Sequence, residues 1–367
     1  MRFVFYVHSL LSDWNHGNAH FLRGVLRELV HRGHQVVALE PAAGWSRENL
    51  LAQQGPAALE RFRRDFPELH ATSYGSDFDH EQALDGADVV VVHEWTEPAL
   101  IAQLGRIRQR RDFTLLFHDT HHRAVSASGD IGALQLDDYD GVLAFGAALR
   151  ERYLAQGWGR SVFVWHEAAD LRLFHPRPEI APGADLVWIG NWGDDERTAE
   201  LSEFLIAPAA ELGLSGTVHG VRYPDSALTA LDQAGLRYGG WLANADVPLA
   251  FARHRVTMHV PRRPYVTALP GIPTIRMFEA LACGIPLVSA PWTDSEGLFR
   301  AGTDYLRVAD GTEMAAALRR LLADPAERRE LAATGLATIR ARHSCAHRVD
   351  ELFDILGDLG AMRSAAQ

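Results

Sequence analysis

The apolar positions of this chain fall into two alternating periods. "RFVFYV" (Arg2 to Val7) is a short β-rich run, and beyond a polar loop Phe21, Leu22, Val25, Leu26, Leu29 and Val30 recur at helical spacing until Gly33. "HQVVALEP" then begins a second buried strand, which completes a βαβ unit. The rhythm continues through "ADVVVVHEW", "FTLLFHDTHH", "GVLAFG" and "SVFVWHE", apolar runs that end in polar residues, with helix-like stretches between most of them. Continuous apolar runs of this kind belong to strands covered on both faces, hence to a parallel sheet.

"HPRPEIAPGAD" (His175 to Asp185) breaks that rhythm with prolines and predicts a domain boundary. A second series follows: "DLVWIGNW", "TVHGV", "VTMHV", "IPLVSA" and "DYLRV" as strands, with helices over 198–212, 275–283 and 312–322. The expected fold class is α/β, with two Rossmann-like domains facing a cleft, an N-terminal one over 1–176 and a C-terminal one from 177. No repeat of 20 to 50 residues marks a solenoid. The segment Trp45 to His70, which carries "RFRR", reads as a helical insertion, more simply a solvated basic helix than an acceptor contact.

In open parallel sheets ligands sit beyond the carboxyl ends of the strands. The residues there are unusually polar: His8, Asn15 and Gly17; His93, Glu94 and Glu97; His118, Asp119, His121 and His122; His166 and Glu167. The second half adds Asn191, Trp192, Asp194 and Arg197, then His219, His259, Arg262 and Arg263. A single such histidine is as readily a satisfied structural group as a functional one. The set on one rim favours a polar ligand.

Composition narrows the chemistry. At 367 residues, 47% hydrophobic and 23% charged, the chain is ordinary globular material for about two domains. A net charge of -11 offers no broad positive field for nucleic acid or an anionic membrane. No apolar run is long enough to span a bilayer, and the N-terminus lacks the basic start and small-residue cleavage site of a signal. Two cysteines, Cys283 and Cys345, make no disulfide framework, which points to the cytoplasm. All 36 basic residues are arginine, so a Schiff-base lysine and a P-loop are excluded. "HDTHH" lacks a metal-binding spacing, so no metal is expected, and the lone Gly17 is no dinucleotide fingerprint.

The stretch "PGIPTIRMFEALACGIPLVSAPW" (Pro270 to Trp292) sets one carboxylate, Glu279, in an apolar frame. Pro273 near the start and Gly284 past the end bound a helix over 275–283, on which Arg276 and Glu279 are neighbours at i, i+3. The bland reading is a surface ion pair. With Arg262 and Arg263 before it, the stretch also forms an anion site beside a carboxylate, the combination a diphosphate and a ribose require.

These residues resemble a known family. "RMFEALACGIPLVSAPW", with "DPAERRELAATGLATIRARHSCAHRVDEL" behind it, is similar to the C-terminal half of GT-B glycosyltransferases of the group 1 type. "WIGNWGDDERTAEL", "MHVPRRPYV" and the opening "HSLLSDWNHGNAHFLRGVLRELVHRGHQV" look like the spore-maturation-protein (CgeB-like) branch. The resemblance implies an acceptor-binding first domain, a second domain (177–345) holding a nucleoside diphosphate sugar as co-substrate, and a last helix (346–367) returning to the first. It implies metal-free catalysis, with no further cofactor and retention at the anomeric carbon. Glu279 matches the carboxylate on the donor ribose, His118 the histidine near the donor sugar, and Gly17 lies in the loop approaching the diphosphate. The family's earlier acid, eight residues before Glu279, is here Gly271. Its Arg and Lys pair on the diphosphate has no lysine, so Arg197 and Arg276 are the expected cations, with Arg262 or Arg263 as substitutes. For an inverting enzyme Asp119, His8 or His121 would serve as base. The alternatives are a sugar-nucleotide epimerase or hydrolase of the same shape, or a nucleotide-sugar-binding protein without catalysis.

Overall fold

The structure is a computed structural model and describes residues 1–366. The chain divides into two compact units, one made of residues 1–167 with the last helix from Cys345, the other of residues 168–344. The proline-rich stretch therefore lies inside the second unit, whose edge falls at Ala168.

In the first unit seven strands, β1 (Arg2–Tyr6), β2 (Gln35–Pro41), β3 (Ala71–Tyr74), β4 (Val89–His93), β5 (Thr114–Asp119), β6 (Gly141–Ala144) and β7 (Val162–Val164), form one sheet in the order β3-β2-β1-β4-β5-β6-β7. In the second, β8 (Ala184–Ile189), β9 (Gly216–His219), β10 (Leu236–Gly240), β11 (His254–His259), β12 (Leu287–Ser289) and β13 (Leu306–Arg307) take the order β10-β9-β8-β11-β12-β13. Every pairing in both sheets is parallel. The edge strands β3 and β10 have no counterpart in the sequence reading. "ATSY" and "LRYGG" are paired on one side only and partly open to solvent, so neither needs a run of apolar residues.

Helices cover the sheets as the spacing predicted. On α1 (Asn18–His31), Phe21, Leu22, Val25, Leu26 and Leu29 are buried. The stretch 45–70 is not an insertion. Its helices, α2 (Trp45–Gln54) and one over Ala57–Asp65, carry the chain from β2 to β3. The arginines of "RFRR" pair with acids of their own helix, Arg61 and Arg64 with Asp65 and Arg63 with Glu60.

In the second unit successive residues of β8 enter different cores, Leu186 and Trp188 one, Val187 and Ile189 the other, as a strand covered on both faces must. Met277, Phe278 and Leu281 of α3 (Ile275–Cys283) fill the core of the second pair, and Gly284 ends that helix in the left-handed region at φ 68°. The helix predicted over 198–212 is interrupted by a widened turn at Ser202–Ile206, just before Pro208, which has no N–H to give to a regular helix.

The last helix, α4 (Cys345–Ala366), belongs to the first unit. Arg32 binds the Asp350 carboxylate at 2.6 Å and the Ala346 carbonyl at 3.1 Å, and the Trp165 indole donates to the Arg348 carbonyl at 2.8 Å. In each sheet the order reverses beside the first strand, between β1 and β4 and between β8 and β11. These are the topological switch points, where the carboxyl ends of the strands leave room for a ligand.

Candidate active site

In the second unit two of the sequence-predicted residues, Arg276 and Glu279, lie on α3. Glu279 is wholly buried and ion-paired with Arg276, whose side chain is about a quarter exposed. This is not the surface pair of the bland reading. A carboxylate fully withdrawn from water is costly unless paired and hydrogen-bonded, which makes its placement here specific. Thr274, at the N-cap of α3, makes no side-chain capping bond, and the Met277 amide turns back to the Thr274 carbonyl at 3.0 Å. Arg276 and the carboxylate occupy the first turns of one helix.

The position of the absent earlier acid is occupied from elsewhere. Gly271 has φ 88°, and a Cβ built there would stand 2.5 Å from Ser295 Oγ and 3.0 Å from Glu296 Oε1. The carboxylate of Glu296, from the loop after β12, thus lies against the place where an acid at 271 would begin.

The other arginines are committed to the protein. Arg197 donates to the carbonyls of Asn191, of Val260 at 3.1 Å and of Trp192 at 3.4 Å, tying the loop after β8 to the end of β11 across the switch point. Its guanidinium also lies over the Trp188 ring at 5.3 Å, and burial, with Arg262 nearby, lowers its pKa to about 9. Arg262 pairs with Glu196 at 2.7 Å, and Arg263 grips Glu200 with two bonds of 3.0 and 3.2 Å. The acids come from "DDERTAE", more than sixty residues earlier, so the two cations read from the sequence are neutralised locally. Asn191 Oδ1 accepts from the Val221 amide at 3.0 Å. His259, at the end of β11, bonds Ser289 Oγ through Nδ1 at 2.9 Å and leaves buried Nε2 without a partner. His219, ending β9, is half-buried with Nδ1 unpartnered.

In the first unit the rim histidines form a file of rings. Centroids lie 4.9 Å apart for His8 and His16, 5.7 Å for His16 and His93, and 5.9 Å for His93 and His118. Burial holds them neutral, lowering His8 to about 4, His118 to about 3, and His16 and His93 well below the usual range. His118, packed on Trp165, has no partner for either ring nitrogen. Gly17 immediately precedes α1, with φ -63°, an ordinary helical value.

Asp119 is fully buried and accepts from Tyr153 Oη at 2.7 Å and the His121 amide at 3.1 Å, an arrangement that holds it in the protein rather than presents it as a base. Burial raises it from 3.8 to about 6. Beside it, because β4 and β5 pair with His93 opposite His118, stands Glu94. That carboxylate is also buried, raised well above its usual range by burial and by Asp119, and bonded through one oxygen to Arg123 at 3.3 Å. The sequence placed Glu94 on the rim but could not show this coupling, since only the β4–β5 register brings the two acids together. Among the described residues no group of three or more His, Cys, Asp or Glu side chains is arranged to hold a metal ion.

Residues 197–354 match the family model described as glycosyl transferase-like. No curated protein sequence matches the chain. Among solved structures, a sucrose-phosphate synthase of Thermosynechococcus elongatus is 16% identical, with a TM-score of 0.67 over 99% of this chain and 100% of that one. HepE of Anabaena, in complex with UDP and glucose, is 14% identical, with a TM-score of 0.68 over 98% and 100%. The T4 phage enzyme BGT, in complex with its UDP-glucose substrate, is 11% identical, with a TM-score of 0.60 over 98% and 99%. At such identities the likeness is one of fold. The chain thus has two parallel α/β units like those of GT-B glycosyltransferases, and its residues 197–354 are similar to a glycosyl transferase-like domain.

Proposed function

We propose that this protein moves a sugar from a nucleoside diphosphate donor, with UDP as the nucleotide, to an acceptor held by the first unit. The observation that carries the reading is the start of α3, where a wholly buried Glu279, its partner Arg276 and a helix N-terminus without a capping bond from Thr274 lie within two turns. The positive end of the helix dipole and Arg276 suit a diphosphate, and Glu279 suits the hydroxyls of a ribose. A hydrogen bond to such a charged group contributes about 1.5 to 3 kcal/mol. The UDP and UDP-glucose bound by proteins of this fold support the choice of base.

In this mechanism Arg276 and the helix dipole stabilise the departing diphosphate in place of a metal ion. His118, neutral and with neither ring nitrogen bonded, is the first unit's candidate for a turnover role. Glu296 supplies the acid that position 271 lacks. Arg197, with its donors on three carbonyls, positions the loops after β8 and β11 and is not itself catalytic, and Arg262 and Arg263 hold the neighbouring helix. The reaction retains configuration, the diphosphate taking the acceptor's proton as the new glycosidic bond forms. Within group 1 the affiliation is with the spore-maturation-protein (CgeB-like) branch, and the enzyme works in the cytoplasm, in keeping with Cys283 and Cys345 forming no disulfide.

The test is release of nucleoside diphosphate from UDP-, GDP- and dTDP-sugars without acceptor, comparing wild type with Glu279→Gln. Slow release from a UDP-sugar that the variant loses supports the transferase. Rapid acceptor-free turnover assigns an epimerase or hydrolase instead, and failure of every donor to bind removes the role given to Glu279.

A further inference from the structure

The first unit carries two tryptophans that its own packing does not consume. Trp45 is 43% exposed and Trp95 45%, and among the described residues no other tryptophan is exposed. Both stand at carboxyl ends of strands. Trp95 follows β4 and Trp45 opens α2 after β2, and these are the two strands that flank β1. Neighbouring strands lie about 4.8 Å apart, so the carboxyl ends of β2 and β4, from which the two tryptophans follow, are separated by roughly two strand spacings, on the order of 10 Å.

Each ring is fixed on one side and open on the other. Arg123 lies over the Trp95 ring at 4.3 Å, and the His121 ring meets it edge-on at 5.5 Å. Buried Trp14 meets Trp45 edge-on at 5.0 Å and is itself anchored, its indole N–H donating to Gln53 Oε1 at 2.7 Å. Surfaces left uncovered but held in one orientation are prepared for a flat apolar face.

His8 follows β1, the strand between β2 and β4. Its ring is 6.3 Å from that of Trp95, and its carbonyl lies 3.5 Å from where a Cβ at Gly44, the residue before Trp45, would be. The His8 ring makes no hydrogen bond, although it lies 4.9 Å from that of His16. A neutral imidazole offers one donor and one acceptor, which is what a hydroxyl asks for. A ligand with apolar C–H faces at two ends and hydroxyls between them is a saccharide. A nucleobase fits one ring but brings no hydroxyl to His8, and an aliphatic chain leaves His8 unmet.

We propose that Trp45, His8 and Trp95 form a carbohydrate platform, and that the acceptor is therefore a glycan presenting two successive sugar rings across the end of β1. The proposal rests on the reading of the protein as a transferase whose acceptor is held by the first unit.

The test titrates the full chain with lactose, cellobiose, maltose, mannobiose and N,N′-diacetylchitobiose up to 50 mM, reading intrinsic tryptophan fluorescence, and repeats it with Trp45→Ala, Trp95→Ala, Trp95→Phe and His8→Ala. At least one disaccharide should quench or shift the emission saturably, and each loss of a ring should weaken its binding about tenfold, with Trp95→Phe intermediate. Circular dichroism melts confirm that the variants are folded. Saturable binding that survives both alanine variants overturns the platform, as does the absence of saccharide binding across the panel. UDP binding, measured on the same samples by calorimetry, separates the two readings. Loss of UDP binding with saccharide binding intact removes the donor assignment and leaves the platform, and the reverse removes the platform alone.

Discussion

The substitution Gly271→Ala probes the geometry beside the donor site. At φ 88° an L-residue meets its own carbonyl, at a cost of about 1 to 2 kcal/mol. The new Cβ would also stand 2.5 Å from Ser295 Oγ and 3.0 and 3.1 Å from Glu296 Oε1 and Cγ. Ser295 is exposed and can rotate away, so the contact adds less than the backbone term. A total near 2 kcal/mol follows, which in a unit of 150 to 250 residues lowers Tm by about 4 to 8 °C. Thermal melts of Gly271→Ala, alone and with Ser295→Gly, read both parts: the second change should restore the steric share and leave the backbone share. A variant as stable as wild type would refute the argument. The same geometry bears on function. Gly271→Glu, which rebuilds the family's earlier acid, sets a second carboxylate against Glu296, so it should lose stability without gaining turnover, whereas Glu296→Gln alone should slow release of the nucleotide. Faster turnover in Gly271→Glu would show that Glu296 is not the substitute.

Three further outcomes follow from buried polar groups. Glu40, fully buried, accepts from Ser9 Oγ at 3.2 Å and from the amides of Leu10 and Leu11 at 2.7 and 3.2 Å. Glu40→Ala orphans these donors and should cost more than about 3 kcal/mol in urea unfolding, with Glu40→Gln milder because one acceptor is kept. Burial raises Asp119 from 3.8 to about 6, so between those values the folded chain holds a proton that the unfolded chain has lost, and this group's contribution to stability falls as pH rises through the window. Asp119→Asn should therefore gain on wild type between pH 5 and pH 7.5, by about 1.4 kcal/mol, since about one unit of the window is crossed at 1.36 kcal/mol per unit, and the opposite trend in urea melts would reverse the sign argued here. His118→Phe removes two unpartnered buried nitrogens from a cage of Phe21, His93 and Trp165, so it should be neutral or stabilising while abolishing turnover; a variant with full turnover takes His118 out of the site.

What could be read from the sequence divides along a physical line. The central strands were legible because both faces are covered, which demands unbroken apolar runs such as Val89 to Val92, while the edge strands β3 and β10 make no such demand. The bounds of α3 were legible because Pro273 and Gly284 act locally on the backbone. Side-chain roles were legible only in part, since a role depends on whether the protein itself consumes the group's hydrogen bonds. Arg262 and Arg263 look like free cations until Glu196 and Glu200 are seen beside them, and Arg197 is spent on three carbonyls. A tryptophan, likewise, reads the same whether it becomes core, as Trp165 does, or a surface platform, as Trp95 does. The strand-end rule names a neighbourhood, and the residual hydrogen-bonding capacity within it separates one candidate from another. By that measure His8 and His118 hold what Arg197 and Asp119 have already given away. It follows that substitutions at the two histidines should act on turnover and binding, and substitutions at the arginine and the aspartate on stability.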